Sequence, residues 1–193
     1  MTETSIPRVL VPRVLVPLAQ GCEELEAITI IDLLRRAEIE VISAGLDTEN
    51  ITASRGVKLI PDTDLESALK DDYDMIVLPG GLPGADYLDN DPRIKSLLKD
   101  MAASDKYTAA ICAAPKVLAN AGILVGKTVT CYPGFLDDSA LSDLTLSDEA
   151  VVRDGKVITS RGPGTAMDFA LELIEVLSGR ETRDTVEAAL VRP

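Results

Sequence analysis

The sequence predicts an α/β protein built on a parallel sheet, and three observations carry that prediction. Short segments rich in Val, Ile and Leu alternate with longer helix-like segments, the order that βαβ units produce. The strand-like segments are apolar at nearly every position, as strands covered on both faces require. Pro, Gly and Asp fall where helices should start and stop.

The first strand is expected over 13–18, and it sits beside a repeat. Residues 7–11 read PRVLV, and residues 12–16 read PRVLV again. Strand side chains alternate with period two, so a five-residue shift exchanges the two faces. Only one copy matches a buried face in a given register. The second copy runs directly into residues 17–21 and takes the strand. Pro12 lacks an N–H and would break a continuous ladder, so the first copy is expected outside the central sheet. Residues 1–12 then form an N-terminal extension, and 13–193 a single domain.

A helix follows over 23–37, then a strand over 40–44 and another over 75–78. Asp91 is a good N-cap with Pro92 at the first helical position, which opens a helix over 92–103. A strand over 107–111 leads into a helix over 115–121, which Gly122 ends. A further strand is expected over 128–131. Asp154-Gly155 between Val151-Val152 and Val157-Ile158 is a hairpin signal. Thr165 followed by Asp168 reads as a capping box, opening a helix that Gly179 closes. The last helix is expected over 181–190.

Composition removes whole classes of function. The 193 residues contain no histidine, so neither a Ser-His-Asp triad nor a Cys-His dyad can be assembled from this chain. Histidine metal sites and histidine pH switches go with them. Thirty-two acidic residues against 19 basic ones give a net charge of −13, which repels a phosphate backbone and argues against nucleic acid as a partner. Aromatics are 3% and Trp is absent, so aliphatic side chains must fill the core. Cys22, Cys112 and Cys131 form neither a disulfide framework nor a CxxC motif. No charged-then-apolar leader opens the chain, and no apolar run approaches the ~18 residues of a membrane span. A cytoplasmic protein with reduced cysteines is the expectation.

Cys112 is the first candidate for chemistry. An apolar strand ends at Ile111, and Pro115 pre-sets a helix start. A nucleophile on a sharp strand-to-helix turn needs small residues two positions away on each side, and Ala110 and Ala114 stand there. The helix start would favour a thiolate and offer oxyanion-binding amides. A cysteine merely buried in the core is the alternative. Gly80 and Gly81 follow the strand over 75–78 and could expose backbone N–H groups to a ligand, or simply turn the chain. Glu23, Glu24 and Glu26 open the first long helix, where acidic residues are favourable. Glu26 shares a polar stripe with Thr29, Asp32 and Arg36, which by periodicity alone faces solvent.

These segments, taken together, resemble the ThiJ/PfpI superfamily, closest to the branch of the Parkinson's-disease protein (DJ-one) and bacterial YajL. The resemblance lies in GCEELEA at 21–27, SRGV at 54–57, YDMIVLPGG at 73–81, AAICAAP at 109–115 and TSRGPGT at 159–165. It extends from about residue 13 to the end of the chain. It implies a flavodoxin-like parallel sheet sandwiched between helices, and a homodimer. It implies that Cys112 is the reactive cysteine and that Glu26 is protonated beside the thiolate, against the solvent-facing reading. It further implies an oxyanion or anion pocket formed by the amides of Gly81 and Ala113. Where many members carry a histidine near the cysteine, this chain has Tyr132, which donates a hydrogen bond but is a poor base at neutral pH. Protease members place a histidine directly after the cysteine. Ala113 stands there, which excludes the protease and amidotransferase readings.

The activity so implied is cysteine-dependent chemistry on reactive carbonyls in a stress response, of glutathione-independent glyoxalase or deglycase type. The substrate would be a small aldehyde or glycated molecule, with no metal or organic cofactor, no membrane and no sequence-specific nucleic acid. The alternative is a redox-sensing or chaperone-like protein whose Cys112 is oxidised to the sulfinic acid. A plain small-ligand binding module is a third reading. Cys22 and Cys131 are expected in structural roles, and Arg55 and Arg161 in ion pairing or loop anchoring.

Overall fold

The computed structural model describes residues 11–136 and 143–192. Its frame is set by β1 (Arg13–Leu18), β2 (Glu40–Gly45), β6 (Met75–Leu78), β7 (Tyr107–Ile111) and β11 (Val157–Ser160). These pair in parallel, with the short β5 (Thr63–Asp64) beside β2. On the other edge β10 (Val151–Asp154) joins β11 antiparallel across Gly155. Among the described residues the sheet has seven strands, in the order β10-β11-β7-β6-β1-β2-β5. Two small ribbons lie apart from it: β3 (Ile51–Thr52) with β4 (Lys58–Leu59), and β8 (Thr128–Val129) with β9 (Thr145–Leu146).

The strands are apolar throughout because both faces are covered. Val14, Val16 and Leu18 of β1 join Met75, Val77, Ala109 and Ile111 in one core layer. Leu15, Ile76, Leu78 and Ala110 point the other way into a second layer. The first layer is closed by α1 (Glu24–Arg36), α6 (Ala166–Ser178) and α7 (Arg180–Ala189). The second is closed by α2 (Leu65–Ala68), α3 (Gly84–Asn90), α4 (Pro92–Ala103) and α5 (Pro115–Asn120). Phe169 of α6 is fully buried against the sheet. This is the flavodoxin-like arrangement, a parallel-dominated sheet between helical layers.

Most sequence expectations hold, and the departures have local causes. The second PRVLV copy forms β1, as expected. Residues 7–10 of the first copy lie outside the described residues, and Val11 belongs to no strand. The strand expected over 128–131 stops at Val129 and pairs outside the main sheet. Beyond it the Thr130 N–H donates to the Thr159 hydroxyl (2.9 Å) and the Tyr132 N–H to the Cys112 carbonyl (2.9 Å), so the backbone leaves the ladder. The capping box at Thr165 does not form. Pro163 starts a 3₁₀ turn over Pro163–Thr165, and the Thr165 hydroxyl turns back to the Gly162 N–H (3.1 Å) and the Ser160 hydroxyl (2.7 Å). Asp91 does cap α4, accepting from the Arg93 N–H at 2.9 Å.

The chain runs outward from β1 through β2 to β5, then returns to β6 on the other side and continues to β7 and β11. The order therefore switches direction between β1 and β6. In parallel sheets that point, at the carboxyl ends of the strands, is where ligands bind. The turns leaving β1, β6 and β7 carry Gly21–Glu23, Pro79–Gly81 and Cys112–Ala114.

Candidate active site

Three turns converge at that switch point. Cys112 stands directly after β7 with φ of +64°, the left-handed region that side chains rarely occupy and that costs of order 1–3 kcal/mol where it is enforced. Two hydrogen bonds fix it: the Cys112 N–H donates to the Ser160 carbonyl at 3.0 Å, and its carbonyl accepts from the Tyr132 N–H at 2.9 Å. Ala110 and Ala114 are both fully buried, so larger side chains at either position would clash in the core. The backbone thus makes the sharp turn expected at Cys112, while the side chain itself is buried in the first core layer, at 8% exposed.

Glu26 sits in the first turn of α1 and is completely buried. The stripe it shares with Thr29, Asp32 and Arg36 therefore does not face solvent at its first member, because the β6 turn folds over the start of α1. Glu26 Oε2 accepts from the Gly80 N–H at 2.8 Å. Its other oxygen, Oε1, has no hydrogen-bond partner among the described residues. Burial pushes the Glu26 carboxyl up to about 7, with a smaller push from Glu23; the Gly80 N–H and the Cys112 thiol pull the other way.

The cysteine is coupled to that carboxyl. Burial pushes the Cys112 thiol up to about 12, and the Glu26 charge adds to this, while the backbone amides of Gly81 and Ala113 at the sulfur pull it down. Two buried neighbours of this kind cannot both carry charge, so the pair holds one proton through the neutral range. The sulfur has the amides of Gly81 and Ala113 as donors, and the carboxylate has the Gly80 N–H and the Cys112 thiol. With the carboxyl pushed to about 7 and the thiol to about 12, the first proton to leave is the carboxyl's, and a thiolate at neutral pH requires the Gly81 and Ala113 amides to draw the charge to sulfur.

Glycines let these groups meet. A Cβ on Gly80 would lie 2.6 Å from the Cys112 Cβ and 2.8 Å from Glu26 Oε2. Gly81, at φ +87°, has the backbone N of Glu23 2.3 Å from where its Cβ would stand. The turn after β1 is pinned to the turn after β6 by the Glu23 N–H donating to the Gly80 carbonyl at 2.9 Å.

Tyr132 stands at the rim, half exposed, with its ring over Gly162 and edge-on to Phe135 at 6.1 Å. Cys22 is fully buried, its thiol pushed up to about 12 by burial and then by Glu24, and its backbone walls the Gly81 turn. The Cys131 sulfur lies 3.2 Å from the Tyr132 carbonyl oxygen. Arg161 pairs with Asp148 at 2.6 Å, whereas the Arg55 side chain is exposed and its backbone N–H donates to Glu24. Gly80, read from sequence as one of a glycine pair offering N–H groups to a ligand, gives its N–H to Glu26 instead. Ser160 is the participant that sequence reasoning left without a role, and nothing local marks it. Among the described residues no cluster of three or more cysteine or carboxylate side chains could hold a metal ion.

The chain is similar to known proteins in both sequence and fold. The DJ-1/PfpI family profile matches residues 12–176. The Parkinson disease protein 7 homologue of Danio rerio is 46% identical over 182 residues, covering 93% of this chain and 96% of that protein. A Caenorhabditis elegans protein named glutathione-independent glyoxalase DJR-1.2 is 38% identical over 167 residues, covering 86% and 89%. The crystal structure of Drosophila melanogaster DJ-1beta superposes with a TM-score of 0.91 at 41% identity, covering 95% of this chain and all of that one.

Proposed function

Since the chain belongs to the DJ-1/PfpI family, we propose that it is a stress-response protein whose Cys112 acts on reactive carbonyls, in the manner of a glutathione-independent glyoxalase or a deglycase. The observation that carries this reading is Cys112 on its left-handed turn, with two amides at its sulfur and the fully buried Glu26 carboxyl beside it. The thiolate adds to the aldehyde carbon of a dicarbonyl such as methylglyoxal. The carbonyl electron pair moves to oxygen, where the Gly81 and Ala113 amides stabilise it, and the Glu26 proton completes a hemithioacetal. The Glu26 carboxylate then takes the proton from that carbon and returns it to the adjacent one, while the hydroxyl proton passes to the neighbouring oxygen, the former ketone's. The resulting thioester is cleaved by water to lactate, and Cys112 is regenerated. Tyr132 donates a hydrogen bond at the rim and leaves proton transfer to Glu26.

The same reading includes a homodimer and a cytoplasmic location. Leu25 and Ile28 of α1 and Val57 and Ile60 of the β3–β4 ribbon are exposed apolar side chains, and Ile28 and Ile60 line one groove, a surface that a second copy would cover. Among the described residues no helix is long and apolar enough to cross a membrane.

Methylglyoxal consumption with lactate detection, in wild type and Cys112→Ala, tests the proposal. Loss of turnover in the variant is expected; equal turnover would overturn it. A second reading, redox sensing, draws on the same amides at Cys112, because a sulfinate would use them as the oxyanion does. It predicts no lactate from the wild type and a gain of two oxygens on Cys112 after peroxide.

A further inference from the structure

At the opposite end of the sheet from Cys112, a cleft of about 840 Å³ opens between the start of β7, the ends of α4 and α5, and the β10–β11 turn. Five cationic side chains line it: Lys99, Lys106, Lys127, Arg153 and Lys156. One acid, Asp105, lines it with them. In a chain of net charge −13 with 19 basic residues, that concentration is a local reversal of sign.

The pairing within the cleft is incomplete. Lys127 reaches Asp154 at 3.4 Å, Arg153 reaches Glu172 at 3.6 Å, and Lys156 reaches Asp105 at 3.7 Å. Lys156 also lies over the Tyr107 ring, 4.2 Å from its centroid, which holds its ammonium at the mouth of the cleft. Lys99 and Lys106 have no acidic partner among the described residues. Lysine near a helix C-terminus is ordinary, and that accounts for Lys99 on α4. It does not account for cations converging from three further segments: the turn before β7, the turn before β8, and the β10–β11 hairpin. Gathering like charges costs stability unless an anion neutralises them. Gly155, at φ +63°, turns the β10–β11 hairpin at the cleft wall.

We propose that this cleft binds a small phosphorylated molecule, held chiefly by Lys99, Lys106 and Lys156. A phosphoryl group carries about −1.5 to −2 charges at neutral pH on three acceptor oxygens, which matches two unpaired ammonium groups and a third that is only loosely paired. The volume falls within the ~300–1,000 Å³ of small-molecule sites and suits a sugar phosphate or nucleotide. The overall negative charge disfavours a nucleic acid polymer in the same place. The cleft and Cys112 flank β7 at its two ends, so occupancy of one leaves the other physically open.

Calorimetric titration of the full chain with inorganic pyrophosphate at low ionic strength tests this. Saturable binding at one site per chain is expected, weakening as salt is added. Lys106→Ala should weaken it about tenfold, and the Lys99→Ala/Lys106→Ala pair more strongly. Lys70→Ala, an exposed lysine outside the cleft, and Cys112→Ala should bind as wild type does. Lys106→Glu provides a charge reversal if truncation proves too mild. Absence of saturable binding, unchanged affinity in both Lys106 variants, or equal weakening by Lys70→Ala or Cys112→Ala would each overturn the proposal.

Discussion

Burial of Glu26 should write itself into the pH dependence of folding, and the effect can be isolated. The perturbation is Glu26→Gln made in a Cys112→Ala background, so that no thiol titrates at the site. The glutamine keeps the shape and can still accept from the Gly80 N–H, but it cannot ionise. In the folded chain the carboxyl is pushed from the ordinary 4.5 up to about 7 by burial, and Cys112 lowers it; removing the thiol keeps it at or above that value. The folded state thus holds this proton more tightly than the unfolded state. The stability it contributes is complete below pH 4.5 and is lost as pH rises through about 7. At about 1.4 kcal/mol per pH unit, the carboxyl costs about 3 kcal/mol at pH 8 and under about 1 kcal/mol at pH 5. Urea unfolding at the two pH values should show the glutamine variant gaining about 2–3 kcal/mol over its parent between pH 5 and pH 8. Parallel stability curves for the two proteins would refute the claim that Glu26 is held uncharged by burial.

Other consequences follow from the same geometry. Gly80→Ala places a Cβ 2.6 Å from that of Cys112; it should cost about 1–3 kcal/mol in chemical unfolding and slow alkylation of Cys112 as the turn shifts. Phe169→Ala empties a fully buried site in the layer under α6 and should cost about 3–5 kcal/mol by the same method. Asp91→Ala removes the cap of α4 and should cost about 1 kcal/mol near neutrality. Arg93 holds the Asp91 carboxyl below its ordinary range through hydrogen bonds and charge, against the opposing effect of burial. The stabilisation should therefore persist above the ordinary carboxylate range and fade as pH falls through the depressed value, so that wild type and variant converge in acid denaturation curves.

How much of this was legible in the sequence depends on the range of the interaction that decides each element. The strands β1, β6 and β7 were readable because both faces are buried and every position is apolar, and α4 because Asp91 and Pro92 mark its start chemically. The short α3 was not, since its start at Gly84 follows from the turn after β6 packing against Cys22 rather than from a cap. The end of β8 was missed because Thr130 gives its N–H to a side chain 29 residues away. At the site, Cys112 was visible from Ala110, Ala114 and Pro115. Glu26 was misread by periodicity, because helical spacing cannot show that the β6 turn covers the first turn of α1; only the family resemblance corrected it. Ser160, whose carbonyl fixes the cysteine backbone, acts through an atom that every residue has, so no sequence signal marks it.

The central claim is that Cys112 and Glu26 share one proton and that the charge rests on sulfur. Thiolate absorbance in the ultraviolet, taken as the difference between wild type and Cys112→Ala across pH, tests this directly. The account predicts a Cys112-dependent thiolate step below pH 9, with the proton left on Glu26. A step only on the alkaline side of 9, the ordinary thiol value, would mean that the carboxylate holds the charge, and would contradict the account.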